Sequence, residues 1–591
     1  MDRERLPPPH LPHWRTIQAN GRTILLAPGI DLDTPPSPLP WPVRLKILHL
    51  NDLHGHGIQL TPASYEPTMA RIADRLHHLR HRYASDPQTA VLFVSSGDEV
   101  AGSLFDELLD DPALSEPVHA SYRLYSAAGL HAAALGNHDL DIGADRLAQA
   151  INRQAAFPIL SANLMAPPPL ANVIHAAAVL KLKGLRVGLI GLTTPAQSNC
   201  GQVAFTDPVR AVQQLLPTIR PFCHVVILLS HLGYSLGSET AGVSLAGDVE
   251  LAQQLPPGSV DLIVGGHTHL ALNEQGLSRR HVVNGTPIVQ AGALGRFLGE
   301  VTLTGQARWV VTNARLTPAA VLPIDPTFDA TTVALLVEQI RPYFTRPLGT
   351  TISHPDLSPE AVHNAFAAGE SALANFITAG MLARAHAHGL PADLALIDAS
   401  VMREGLPAGP LTFAHWFALM PYADTLRLCR LTGRQLWTLL QDNAGRLDLP
   451  HEHHVERGFL HFSGHLRYTI QPGRSREENR VVAAQLNGRP LPDQLHRVIT
   501  AVLPSFWRQL ARPWQAETGN LPLMAHTEFP LEDTGLFLRR EMVAYIGQMG
   551  GVNERGGARR DGRLQILPLP QTAERRSWYE YRHVFHQPAL S

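Results

Sequence analysis

Cysteine is nearly absent. Cys200, Cys223 and Cys429 are the three in 591 residues, which excludes a disulfide scaffold and a zinc site built from four thiolates. Lysine is as scarce: Lys46, Lys181 and Lys183 are the whole set, so arginine carries nearly all the positive charge. Neither sign is in excess, since 49 basic and 51 acidic side chains leave a formal charge of -2. That balance gives no reason to expect nucleic acid as a partner, and no polyanionic tail. There is no run of about 18 uncharged apolar residues, so no membrane span is expected. Residues 1–20, MDRERLPPPHLPHWRTIQAN, put charge and proline where a secretory leader needs an apolar stretch. Read literally, the chain is cytoplasmic; a mis-chosen start codon would hide a leader and make it periplasmic or secreted.

Hydrophobic residues make up 45% and charged residues 17%, a globular composition. The length exceeds what one core usually supports, so two or more domains are expected. The 31 histidines raise the expectation of metal chemistry without locating it. Residues 1–43 read as an irregular, proline-rich lead-in. Apolar runs at 45–50, 90–95, 187–192, 225–229 and 262–264 read as buried strands, with helical patterns at 67–81 and 145–155 between them. Strands alternating with helices imply α/β layers over 44–316. A proline-punctuated linker follows at 317–347, with one helix at 331–341. A second mixed domain spans 348–568, and 569–591 is a polar tail.

Polar residues collect just after the apolar runs of the first domain. Asn51-Asp52-Leu53-His54-Gly55 follows one run and Gly97-Asp98 the next. Gly136-Asn137-His138-Asp139-Leu140-Asp141, then His231, then Gly265-Gly266-His267-Thr268-His269 follow the others. Ligands bind at such exits in open α/β sheets, and glycine lets backbone and ligand come close. Each piece alone has a plainer reading: Gly-Asp is a common turn, and a single His after a strand is usually a hydrogen-bonded structural residue. The order of all five is harder to obtain by chance. Carboxylates mixed with imidazoles suit Mn²⁺, Zn²⁺ or Fe²⁺ better than Ca²⁺.

Asp-x-His, Gly-Asp, Gly-Asn-His-Asp, His and Gly-His-x-His, in that order, resemble the calcineurin-like metallophosphoesterases. The wording of 47–54 and 136–143 is similar to the bacterial 5'-nucleotidase and UDP-sugar hydrolase branch. The resemblance implies an N-terminal metallophosphoesterase β-sandwich flanked by helices, plus a C-terminal 5'-nucleotidase-like α/β substrate domain. It implies two divalent metal ions (Mn, Zn, Fe or Co). Asp52, His54 and His269 would hold one, Asn137, His231 and His267 the other, and Asp98 would bridge. His138, paired with Asp141, would contact phosphate and leaving group. The implied reaction is hydrolysis of a nucleotide phosphomonoester, with a small-molecule phosphoester as the partner.

The second domain departs from that family. Where the family has Asn-x-Gly-Gly-Ile-Arg, this chain has Asp398-Ala399-Ser400-Val401-Met402-Arg403, keeping the Arg and losing both glycines. Tyr422, after Pro421, matches the family's base-stacking aromatic, and Glu370–Asn375 matches its Glu-Ser/Thr-x-Leu-Gly-Asn. Ala367 replaces a frequent Arg, and the Gly-Gly-Asp-Gly-Tyr segment is missing, leaving Phe506 or Trp507 as the second stacking ring. Arg403 and Tyr422 are therefore the expected substrate-binding residues. The losses keep open a UDP-sugar, a 2',3'-cyclic nucleotide or a non-nucleotide phosphoester as substrate, with a non-catalytic binding protein a distant third.

Overall fold

The computed structural model describes residues 11, 13–39, 41–60, 64–100, 102–110, 118–195, 203–234, 247–305, 308–365, 369–421, 424–448, 458–504 and 531–569. The chain divides into two compact units, Met1–Arg346 with Pro421–Ala423, and Pro347–Met420 with Asp424–Ser591.

Two stacked sheets form the first unit. One runs Arg15–Ala19, Arg22–Leu26, Ala177–Leu182, Leu185–Thr193, Val225–His231, Leu262–Gly265, Thr286–Val289, Val282–Val283. The other runs Ile174–His175, Ile159–Leu160, Ala132–Ala134, Thr89–Ser95, Val43–Leu50, Phe297–Gly305, Trp309–Pro318. Alternate side chains of a strand face opposite ways. Leu45, Ile47, Leu92 and Val94 of one sheet thus meet Val187, Leu189, Leu229 and Val264 of the other in a buried core. The opposite faces are apolar too, and helices cover them. Val226, Leu228 and Ile263 pack on the helices Pro208–Ile219 and Asp248–Gln254. On the far side Phe93 meets Tyr125 of the helix Ala120–Ala128, ring centroids 6.1 Å apart. Strands buried on both faces explain the unbroken apolar runs.

Two expectations need correction. Residues 15–26 lie in the stretch read as irregular, yet they form a hairpin that joins the first sheet beside Ala177–Leu182. Its turn is Asn20-Gly21, both with positive φ (50° and 74°), a known hairpin signal that the surrounding prolines masked. Residues 317–347, read as a linker, hold the end of the strand Trp309–Pro318 and the helix Ala334–Phe344, and the first unit continues to Arg346. The prolines there include a helix start: Pro326 takes the first helical position behind Asp325, which accepts from the Thr327 and Phe328 amides at 3.0 and 2.9 Å.

The second unit is built on the strand order Leu460–Phe462, Leu394–Asp398, Val498–Pro504, Thr425–Thr432, Leu531–Phe537. Its helix Ala372–Ala387 is buried nearly all round, as its Ala-rich sequence allows. Gly380 is there for contact: a Cβ would lie 2.6 Å from Met542 Cε of the helix Leu538–Met549.

Candidate metal centre

The parallel register places the strand exits side by side. Leu50 is opposite Ser95, and the ladder continues past the strands through Asp52 N to Gly97 O (2.8 Å) and His54 N to Asp98 O (2.9 Å). In the facing sheet Ser230 is opposite Gly265. Ser96 ties the sheets together: its hydroxyl donates to Val264 O at 2.7 Å and its carbonyl accepts from His231 Nδ1 at 2.6 Å.

Six of the expected residues form two groups, Asp52 with His54 and His269, and Asp98 with His231 and His267; within each group the donor atoms lie within 4.8 Å of one another. The groups adjoin. Asp98 Oδ2 is 3.0 Å from His231 Nε2 and 3.9 Å from His54 Nε2. Asp52 Oδ1 is 3.3, 3.9 and 4.0 Å from the Nε2 atoms of His269, His231 and His54. Asn137 is fully buried at the exit of Ala132–Ala134.

The histidine tautomers follow from their other nitrogens. His54 Nδ1 meets Val100 O at 3.0 Å and His231 Nδ1 meets Ser96 O. A carbonyl only accepts, so both Nδ1 atoms carry a proton and Nε2 is the nitrogen left to face a metal, which on His231 must displace the proton that Asp98 favours. The carboxylates are held similarly. Asp98 Oδ1 accepts from His138 N at 2.8 Å, leaving Oδ2 among the imidazoles. Asp52 Oδ2 accepts from Asn51 Nδ2 at 2.7 Å and from His267 N at 2.9 Å. The donor set and the inward lone pairs fit divalent cations.

Strain collects here. Asp52, His54, Asp98, His267 and His269 are five of the eleven non-glycine residues with positive φ among those described. Such conformations persist where surrounding bonds over-determine them. Gly136 must be glycine, because a Cβ would lie 2.1 Å from Asp98 Oδ1.

Charge is unevenly spread. Burial pushes His54 down to about 4 and His267 down to about 3. Burial also opposes charge on His231, but Asp98 and then Asp52 outweigh it and hold the imidazole up at about 10. Asp98 would rise on burial; His231, His138 and His54 instead hold it well below the usual carboxylate range. Asp98 and His231 thus compensate each other's charge at the centre. His138 lies beside it, 5.6 Å from the His54 ring, with Nδ1 2.7 Å from Asp141 Oδ2. Burial is again outweighed, by Asp98 and Asp141, which hold His138 up at about 9.

The two expected substrate residues are placed differently. Arg403 is on the surface of the second unit, its backbone N–H donating to Leu419 O at 2.9 Å. Tyr422 lies outside the described residues, as do Phe506 and Trp507. Three buried residues escaped sequence reasoning. Asn51 accepts from Ala291 N at 2.7 Å and donates to Gly292 O at 2.5 Å, tying the Asp52 loop to a neighbouring strand exit. Asp139 accepts from Glu99 N and Gly136 N, both at 2.8 Å, clamping the loops of Asp98 and Asn137. Gln290 leaves the strand Thr286–Val289, a sixth exit that the same rule of polar residues after apolar runs identifies.

A sandwich whose strand exits gather carboxylates and imidazoles into two adjoining groups is a candidate centre for two metal ions. The calcineurin-like phosphoesterase family matches residues 45–271, and the 5'-nucleotidase C-terminal domain matches residues 349–501. The 5'-nucleotidase of Bos taurus is 26% identical over 517 residues, covering 80% of this chain and 83% of that protein. The 5'-nucleotidase of Vibrio cholerae is 25% identical over 433 residues, covering 66% and 74%. The crystal structure of a 5'-nucleotidase precursor from Thermus thermophilus aligns over 89% of this chain and 100% of that one, with 25% identity and a TM-score of 0.53. The chain thus combines a calcineurin-like phosphoesterase domain with a 5'-nucleotidase C-terminal domain, and is a 5'-nucleotidase-like hydrolase of phosphoester bonds.

Proposed function

We propose that this enzyme removes phosphate from a nucleoside 5'-monophosphate at a centre of two divalent ions, Mn²⁺, Zn²⁺, Fe²⁺ or Co²⁺. The observation that carries the reading is the meeting of two donor groups at Asp98 and Asp52 beside the His138–Asp141 pair. Asp52, His54 and His269 would hold one ion and Asn137, His231 and His267 the other, with Asp98, close to an imidazole of each group, shared between them. When bound, the ions supply Lewis acidity, lowering the pKa of water and neutralising phosphoryl charge. The backbone bonds to Asp52 and Asp98 keep one oxygen of each carboxylate aimed inward. Asp141 fixes the His138 ring through Nδ1 and favours its protonated form, so Nε2 is the proton donor to the departing alkoxide. At 29% side-chain exposure, His138 is open to a substrate while Asp141, at 6%, is shielded. The nucleotide preference is supported by the names of the relatives.

One observation favours a second reading. Ala399, Val401 and Met402 are buried in the core of the second unit, and Val401 stands where the family has glycine. That segment offers a ligand less open backbone than Gly-Gly would, which points to a UDP-sugar, a 2',3'-cyclic nucleotide or a non-nucleotide phosphoester. Phosphate release from AMP, UDP-glucose, 2',3'-cyclic AMP and an aryl phosphate by Mn²⁺-loaded protein separates the two. Preference for AMP supports the first reading, and turnover of the others without AMP supports the second. Metal-loaded protein inactive on all four would defeat both.

A further inference from the structure

We propose that Gln290 is a positioning residue shared by both metal groups, holding His267 of one and His269 of the other in register. The inference rests on the two-metal reading above. The Gln290 side chain is wholly buried at the end of the strand Thr286–Val289. Its Oε1 accepts from Leu270 N at 2.9 Å and from the Thr268 hydroxyl at 3.1 Å. Its Nε2 donates to the Gly266 carbonyl. Backbone chemistry sets the orientation of the amide, because a peptide N–H only donates and a carbonyl only accepts. A side chain of this length must therefore carry one donor and one acceptor in a plane. Glutamine does; Glu keeps the acceptor and loses the donor, and Met keeps only the shape.

The clamped residues, 266, 268 and 270, alternate with the two histidines. His267 and His269 have φ of 71° and 56°, each in the left-handed region that L side chains disfavour by about 1–2 kcal/mol. Something outside the loop has to hold them there. The ends of the loop have other anchors: Leu272 N donates to Gln290 O at 3.0 Å and Gly292 N to Leu270 O at 2.9 Å. Tyr234 N also donates to the Thr268 hydroxyl at 3.2 Å. Between Gly266 and Leu270, the Gln290 amide makes two bonds to backbone and one to the Thr268 hydroxyl, beside the His267 N–H bond to Asp52 Oδ2 at 2.9 Å. Loss of the amide leaves the fold anchored and lets both histidines drift, so both ions are affected by one substitution.

The test is Mn²⁺ binding to the full chain by calorimetry, with electron paramagnetic resonance of the bound ions and the melting temperature of the metal-free protein. Wild type is expected to bind two Mn²⁺ with a spin-coupled spectrum. Gln290→Met is expected to melt like wild type without metal, to bind both ions about 10–100-fold more weakly, and to lose the coupled signal. Wild-type affinity at both positions, or weakening at only one, overturns the proposal. Should Gln290→Met fail to fold, Gln290→Glu is read in its place: weaker binding of both ions supports the role, and unchanged binding overturns it. A wild-type chain that binds no Mn²⁺ removes the metal-centre reading itself, whereas tight binding by wild type and variant alike removes only the role of Gln290.

Discussion

In the first unit the residues proposed to carry the chemistry are interior. Asp52, Asp98, Asn137 and His231 are essentially inaccessible, and backbone bonds set the direction of Asp52, Asp98 and His231. In the second unit the residue best matched to substrate, Arg403, is exposed, while its neighbours Ala399, Val401 and Met402 face the core. Metal chemistry tolerates little change, because the ligand atoms must meet at one place with lone pairs aimed inward. Selectivity is carried by side chains on the surface, which can change without unfolding anything. That difference explains how one half of the chain keeps the family's motifs while the other has lost its glycines and its Gly-Gly-Asp-Gly-Tyr.

The largest effect is expected in the first unit. Asp98→Ala removes a carboxylate that lies 3.0 Å from His231 and 3.9 Å from His54, one imidazole of each group, and activity on an aryl phosphate should fall by about 10³-fold or more, with metal lost on dialysis. Full metal content and activity in that variant would refute the assignment. His138→Ala should differ in kind. It ought to lower kcat by about 10²-fold or more while the protein keeps its metal, measured by elemental analysis beside steady-state kinetics. An emptied metal centre in His138→Ala would show that this imidazole holds an ion and not the substrate.

How far the sequence speaks follows the same divide. Asp52, His54, Asp98, His231, His267 and His269 were legible because the chemistry needs those side chains after buried strands, and buried strands are unbroken apolar runs. Asn51, Asp139 and Gln290 were not, although they hold the others in place. Each bonds mainly to backbone, and a backbone partner leaves no complementary residue to recognise. The hairpin at 15–26 was hidden by flanking prolines, whereas the helix at 334–344 was expected at 331–341 and only its membership of the first unit was missed. The meaning of Arg403 depends on surface geometry that no spacing encodes.

A smaller effect is expected from the second unit. Arg403→Ala should raise KM for AMP by about tenfold, the worth of roughly 1.4 kcal/mol of charge-assisted hydrogen bonding. The rise for a small aryl phosphate should be less. Equal changes for the two substrates would mean that Arg403 does not read the nucleoside part, and would favour the alternative substrates.

The smallest effect concerns acid stability, and it compares the units through one residue type. His119 in the first and His461 in the second are buried imidazoles, which desolvation pushes down to about 3 and about 4. In the unfolded chain each regains an ordinary value of about 6.5. Below that pH the unfolded state binds a proton that the folded state refuses. Stability is therefore complete above about pH 6.5 and declines as pH falls toward the folded values, by about 1.4 kcal/mol per pH unit for each group. His119 stacks on Tyr122 with ring centroids 3.4 Å apart and accepts from its N–H at 3.2 Å. His119→Phe keeps the stacking, loses that bond at every pH and removes the titration. Urea unfolding followed from pH 7 to pH 5 should show a lower but flatter stability for this variant, shallower by about 1 kcal/mol per pH unit averaged over that range. His461→Leu should flatten the unfolding of the second unit in the same way. A slope unchanged in His119→Phe would mean that the imidazole takes up its proton without unfolding, and that the helix Ala120–Ala128 opens at its start more readily than its burial implies.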